Sequence, residues 1–149
     1  MATSKSPAGH ALMIYDGLCG FCNSSVRWVI KRDRRDRIRF APQQAALAEA
    51  ALARHSVYRN TMLADNSVYL LLNFDTSQER LLRRSDVTVQ VLLLLGGGWR
   101  LLGRTLALIP RWLRDRAYML VARNRFHFRG RYDSCPLPST TERAKFVGL

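Results

Sequence analysis

Hydrophobic and polar positions alternate in blocks along the chain, and each block has its own period. Ala11 to Tyr15 is a short apolar run stopped by Asp16-Gly17, which predicts a buried strand ending in a turn. From Cys22 the period lengthens: Cys22, Val26, Val29 and Ile30 fall at i, i+4, i+7 and i+8, predicting a half-buried helix with Asn23, Ser24, Arg27 and Lys31 off its inward stripe. The charged stretch Arg32 to Arg37 closes that helix. Ile38 and Phe40 then alternate with Arg37 and Arg39 as in a strand that ends at Pro42. Ala-rich Gln44 to His55 predicts a second helix, Val68 to Leu72 a central strand, and Arg80 to Arg84 a strand returning antiparallel after the turn residues Asn73 to Gln78. Ser85 is the predicted N-cap of a helix through Leu95, terminated by Gly96-Gly97-Gly98. Two further helices are expected. In the last, opened by Pro110, the residues Leu113, Ala117, Leu120 and Val121 repeat the inward spacing, and Arg123 and Arg125 suit its negative C-terminal end.

The resulting order, β-α-β-α-β-β-α plus two helices, predicts an α/β fold: a single domain over residues 1–149, with a helical, basic extension over 99–149 packed on it. At 149 residues, 48% hydrophobic and 23% charged, the chain is long and apolar enough for one ordinary core, which excludes collagen-like and disordered classes. The longest uncharged stretch, Val87 to Trp99, spans 13 residues against the roughly 20 that a membrane crossing needs. Three cysteines are too few for a disulfide-stapled secreted scaffold, and no export signal precedes the first strand, so a cytoplasmic location is expected.

Charge adds a second signal. Lys and Arg number 24 against 11 acids, a formal +13, and only three of those cations are lysines. Between Arg100 and Arg131 there are nine arginines and one acid, Asp115, interleaved with Trp99, Trp112, Tyr118, Phe126 and Phe128. Such a segment is first a solvated face over a core. It also suits an anionic membrane surface, while nucleic acid is not expected because no recognition motif accompanies it.

The candidate chemistry lies in Asp16-Gly17-Leu18-Cys19-Gly20-Phe21-Cys22, where a strand hands over to a helix. Two cysteines three apart at a helix start share one face and can close a disulfide. The first lies near unpaired backbone N–H groups, which favour its thiolate, so Cys19 is the natural nucleophile and Cys22 the resolving thiol. Asp16 caps the turn, accepts the resolving thiol's proton, or opposes the thiolate by like charge. Two other readings of the pair stand beside this one: small buried residues at a strand–helix junction, or a zinc site joining Cys19, Cys22, Cys135 and His127. Seven residues between His127 and Cys135 depart from zinc-finger spacings, so no metal and no cofactor is expected. His10, His55 and His127 receive no catalytic role.

Asp16-x-x-Cys19-x-x-Cys22 after a short apolar strand resembles the DCC family of thiol-disulfide oxidoreductases. Asn23, Val26, Arg27, Phe40, Ser85-Asp86, Ile109-Pro110-Arg111, Ala122 to Arg125, Gly130 and Cys135-x-x-Pro138 extend the likeness from about Met13 to Phe146. The resemblance implies a thioredoxin-like fold and redox function, with Cys19 and Cys22 as the active pair and Asp16 as the family's acidic position. Thioredoxin-like proteins place a cis-proline just before the strand facing the pair, and 60–67 holds no proline. Cys135 is a candidate third redox thiol if the tail folds back, and otherwise a structural cysteine. The expected partner is a disulfide-containing protein or a small-molecule thiol; the rival is a non-enzymatic basic module docking on an anionic membrane or an acidic partner.

Overall fold

The structure, a computed structural model, describes residues 10–55, 68–130 and 138–147. Its elements run β1 (Ala11–Tyr15), α1 (Gly20–Arg32), β2 (Ile38–Pro42), α2 (Ala46–Ala53), β3 (Tyr69–Leu72), β4 (Arg80–Arg83), α3 (Ser85–Leu95), α4 (Gly97–Ala107), α5 (Arg111–Arg129) and a 3-10 turn at Arg143–Lys145. The strands form one sheet in the order β2-β1-β3-β4. β1 and β2 are parallel, joined through α1, whereas β3 runs antiparallel to both β1 and β4. This mixed four-stranded sheet with its five helices is compatible with a thioredoxin-like fold. The expected element order is present.

Strand alternation divides the core. Ala11, Met13 and Tyr15 of β1 face α1 and α3, packing with Val26, Val29, Val87 and Val91. Leu12 and Ile14 point the other way, onto Ala48, Ala51 and Leu52 of α2. Strand β1 is thus buried on both faces, and its end at Tyr15 delivers the next residues to the sheet's C-terminal edge. Near the C-terminus, Val147 N–H donates to the Phe40 carbonyl at 2.9 Å, adding a short parallel contact beside β2.

Four local expectations change. Asn23 is buried rather than off the inward stripe of α1. Ser85 does not cap α3 but is its first helical residue; its hydroxyl and its N–H both donate to the Asp115 carboxylate of α5, so a distant anion satisfies that helix start. The glycine triplet ends α3 only at Gly96, whose φ of 73° reverses the chain, and Gly97 and Gly98 already belong to α4. The largest change concerns α5. Its expected inward stripe is open: Leu113 is 47% exposed, Leu120 64% and Val121 40%. Ala122 and Arg125 are buried instead, and the half-buried Tyr118 accepts a hydrogen bond from Val68 N–H at 2.9 Å. Periodicity located a stripe, but the face turned to the core is the one carrying Tyr118 and Arg125.

Among the described residues no helix is long and apolar enough to cross a membrane. Cys135 and the whole proline-free 60–67 stretch lie outside the described residues.

Candidate active site at the start of α1

Asp16 follows the last residue of β1, and the turn it opens is held from several directions. Its Oδ1 accepts from Leu18 N–H at 3.0 Å, the local carboxylate turn expected of it. The same oxygen accepts from Gln44 Nε2 at 3.0 Å, and Gln44 Oε1 in turn accepts from Gly17 N–H at 3.1 Å. Asn23, one turn into α1, reaches back: its Nδ2 donates to the carbonyls of Gly17 at 2.8 Å and Cys19 at 2.9 Å. The chain entering the helix is therefore fixed by side chains from β1, α1 and the β2–α2 turn. From the far end of α5, the Gly130 carbonyl accepts from Gly20 N–H at 3.2 Å.

Cys19 occupies the N-cap of α1 with extended backbone angles (φ −89°, ψ 120°), where serine or aspartate usually stands. Its Sγ accepts from Cys22 N–H at 3.3 Å, so the sulfur does what a capping oxygen would do. A donor aimed at sulfur favours the anion. The Cys19 thiol is lowered to about 6, chiefly by the hydrogen bond from the Cys22 thiol, against the cost of burial, with further help from the Cys22 N–H and from the Arg125 charge. Cys22 is pushed the opposite way, because its proton is engaged by Cys19 and its surroundings are apolar and anionic. One proton shared between two sulfurs leaves the charge on Cys19.

Arg125 completes the arrangement, and sequence reasoning assigned it only to the helix end. It is 5% exposed, with Nη2 3.1 Å from Asp16 Oδ2 and Nη1 donating to Cys22 Sγ at 3.7 Å. One guanidinium thus touches both the acidic position and the second cysteine. Buried charges require partners, and Asp16 and Arg125 supply them to each other. The available signal was indirect. Arg114, Tyr118, Ala122 and Arg125 fall at i, i+4, i+8 and i+11, a helical face that hydrophobicity alone passes over.

Access is uneven. Cys19 is fully buried, whereas Cys22 lines a cavity of about 1060 Å³ between α1, α3 and α5. Its walls include Phe21, Val29, Leu92, Leu113 and Val121, with Arg125 and Ser85 among the few polar members. Among the described residues, Cys22 borders this largely apolar space and Cys19 lies behind it.

The zinc alternative draws on His127 and Cys135 besides the pair. His127 is exposed on α5, Cys135 lies outside the described residues, and among the described residues no three of His, Cys, Asp or Glu cluster to hold a metal. His55 pairs with Glu79 at 2.7 Å, away from the cysteines.

Residues 13–131 match the model of the DCC1-like thiol-disulfide oxidoreductase family. The chain is similar to an uncharacterized protein of Bacillus subtilis (strain 168), YuxK, with 27% identity over 91% of this chain and 93% of that protein. It is also similar to a chloroplastic DCC family protein of Arabidopsis thaliana, with 30% identity over 85% of this chain and 69% of that protein. No solved structure matches.

Proposed function

The chain belongs to the DCC1-like thiol-disulfide oxidoreductase family, and from that premise we propose that it exchanges the Cys19–Cys22 dithiol with disulfides of proteins or small molecules. The observation that carries this reading is the sulfur cap: Cys19 Sγ receives the Cys22 N–H at the start of α1, in a site that also sets Arg125 against Cys22.

The chemistry follows from the charge distribution. The Cys19 thiolate attacks one sulfur of the foreign disulfide, forming a mixed disulfide and expelling the other sulfur as a thiolate. Cys22 then gives its proton to that departing thiolate and attacks Cys19 Sγ. The Cys19–Cys22 bond forms, the mixed disulfide breaks, and the second thiolate leaves. The protein pair is oxidised by two electrons and the foreign disulfide is reduced to a thiol and a thiolate, the latter taking its proton from water. Arg125 acts in the second step: its Nη1–H lies against Cys22 Sγ, where negative charge develops as the proton leaves. Asp16 holds that guanidinium in place and caps the turn, a positioning role. Because Cys19 is buried and Cys22 borders the cavity, a foreign disulfide reaches the thiolate by parting the walls beside Cys22.

Titration of the purified protein in glutathione redox buffers, read by thiol trapping and peptide mapping, tests the proposal. A reversible Cys19–Cys22 disulfide with a defined potential is expected, lost on Cys19→Ser. A pair that stays reduced across the whole range, or mixed disulfides that never resolve, would sink it.

A further inference from the structure

We infer that the open face of α4 and α5 seats on an anionic lipid bilayer, with the cavity beside Cys22 turned toward the acyl region. Leu108 is 85% exposed, Leu101 67%, Leu120 64% and Trp112 62%. These are four large apolar side chains on two consecutive helices and the cap that ends the first, far more than scattered surface hydrophobics explain. The inward spacing of Leu113, Leu120 and Val121 is of the kind that normally packs a helix onto a core, yet here it borders the cavity and reaches solvent. Among the described residues nothing covers it.

Charge selects the occupant. Arg100, Arg104, Arg116 and Arg123 are exposed on these same helices. The acid of the segment, Asp115, is engaged by Ser85, and Asp86 of α3 is engaged by Arg111 and Arg114. A second copy of a chain with formal charge +13 would bring like charges together across this face. Anionic headgroups neutralise the arginines while acyl chains take up the leucines, the arrangement of a helix lying in an interface. The helices suit that placement because none can span a bilayer.

Docking uses no thiol, so its test stands apart from the redox proposal. Purified full-length reduced protein is sedimented with vesicles of phosphatidylglycerol and phosphatidylcholine mixed, and of phosphatidylcholine alone. Binding to the mixed vesicles is expected to be at least about ten-fold tighter and to weaken with salt. Tryptophan emission should be quenched by brominated acyl chains. The pair Leu108→Ser with Leu120→Ser, both at exposed positions, should keep the circular dichroism spectrum and lose about ten-fold in vesicle binding. Three results overturn the inference: no binding to either vesicle; binding to mixed vesicles that the double substitution and acyl quenchers leave untouched, which is adsorption by charge alone; or a dimer in sedimentation velocity that the double substitution dissolves, which makes a second copy the occupant.

Discussion

The turn from β1 into α1 and the paired helices α4 and α5 treat their side chains in opposite ways. In the turn, the polar side chains beside the cysteines are engaged within the chain: Asp16 by Leu18, Gln44 and Arg125, and Asn23 by two carbonyls. In α4 and α5, large apolar side chains stand in solvent beside arginines. The first region is closed upon itself and derives its chemistry from internal contacts. The second leaves its apolar side chains open to solvent among the described residues. A site that concentrates a buried ion pair and a thiolate is costly to disturb, whereas an open surface tolerates change.

Breaking the closed region should give the largest effect. Asp16→Ala removes the carboxylate from a buried ion pair with Arg125, and urea unfolding should show a loss of about 3–5 kcal/mol. A loss below about 1 kcal/mol would mean that the pair is solvated rather than buried. Leu70→Ala, at a fully buried β3 position in contact with the α1 side of the core, should cost about 2–5 kcal/mol in the same measurement.

The thiol pair sharpens the contrast through pH. The rate of Cys19 alkylation should rise with a midpoint near 6, and Cys22→Ala should move that midpoint up toward the ordinary thiol range, because the leading cause of the depression is the Cys22 hydrogen bond. The same shift links to stability. The folded Cys19 thiol loses its proton near 6 while the unfolded one holds it to about 9, so the reduced protein gains stability as pH rises through that window and loses it as pH falls through 6. Cys22, shifted upward, works in the other direction only above the ordinary thiol range, where its unfolded form ionises first. Equilibrium unfolding of the reduced protein between these limits checks the sign. The smallest effect belongs to the open region: Leu120→Ala should change stability by no more than about 0.5 kcal/mol, at least about four-fold less than a buried leucine of the sheet.

Much of the fold was legible because two signals agree along the first half of the chain. The run Ala11 to Tyr15 with Asp16-Gly17 after it, and the stripe Cys22, Val26 and Val29, each have the period of the element they form. The cysteine pair at the strand–helix junction and the cap made by Cys19 were also readable, since a helix start always leaves donors to be met. Arg125 was not. Its importance comes from α5 crossing α1, a tertiary contact that places it beside Asp16 and Cys22 from more than 100 residues away. The outward turn of Leu113 and Leu120 was hidden for a related reason: amphipathic spacing reveals that a stripe exists and is silent on whether its cover is the chain itself. Ser85 illustrates the same limit on a smaller scale, a good cap by composition that instead serves as donor to a carboxylate thirty residues on.

The reach of Arg125 across 103 residues sets an order on how the protein comes to life. A nascent chain that has left the ribosome only as far as β4 already carries both sulfurs and the acid beside them, yet has no guanidinium to steady them. Synthesis of α5 supplies it, so the guanidinium joins the sulfurs only after the sheet and helices that carry them have left the ribosome.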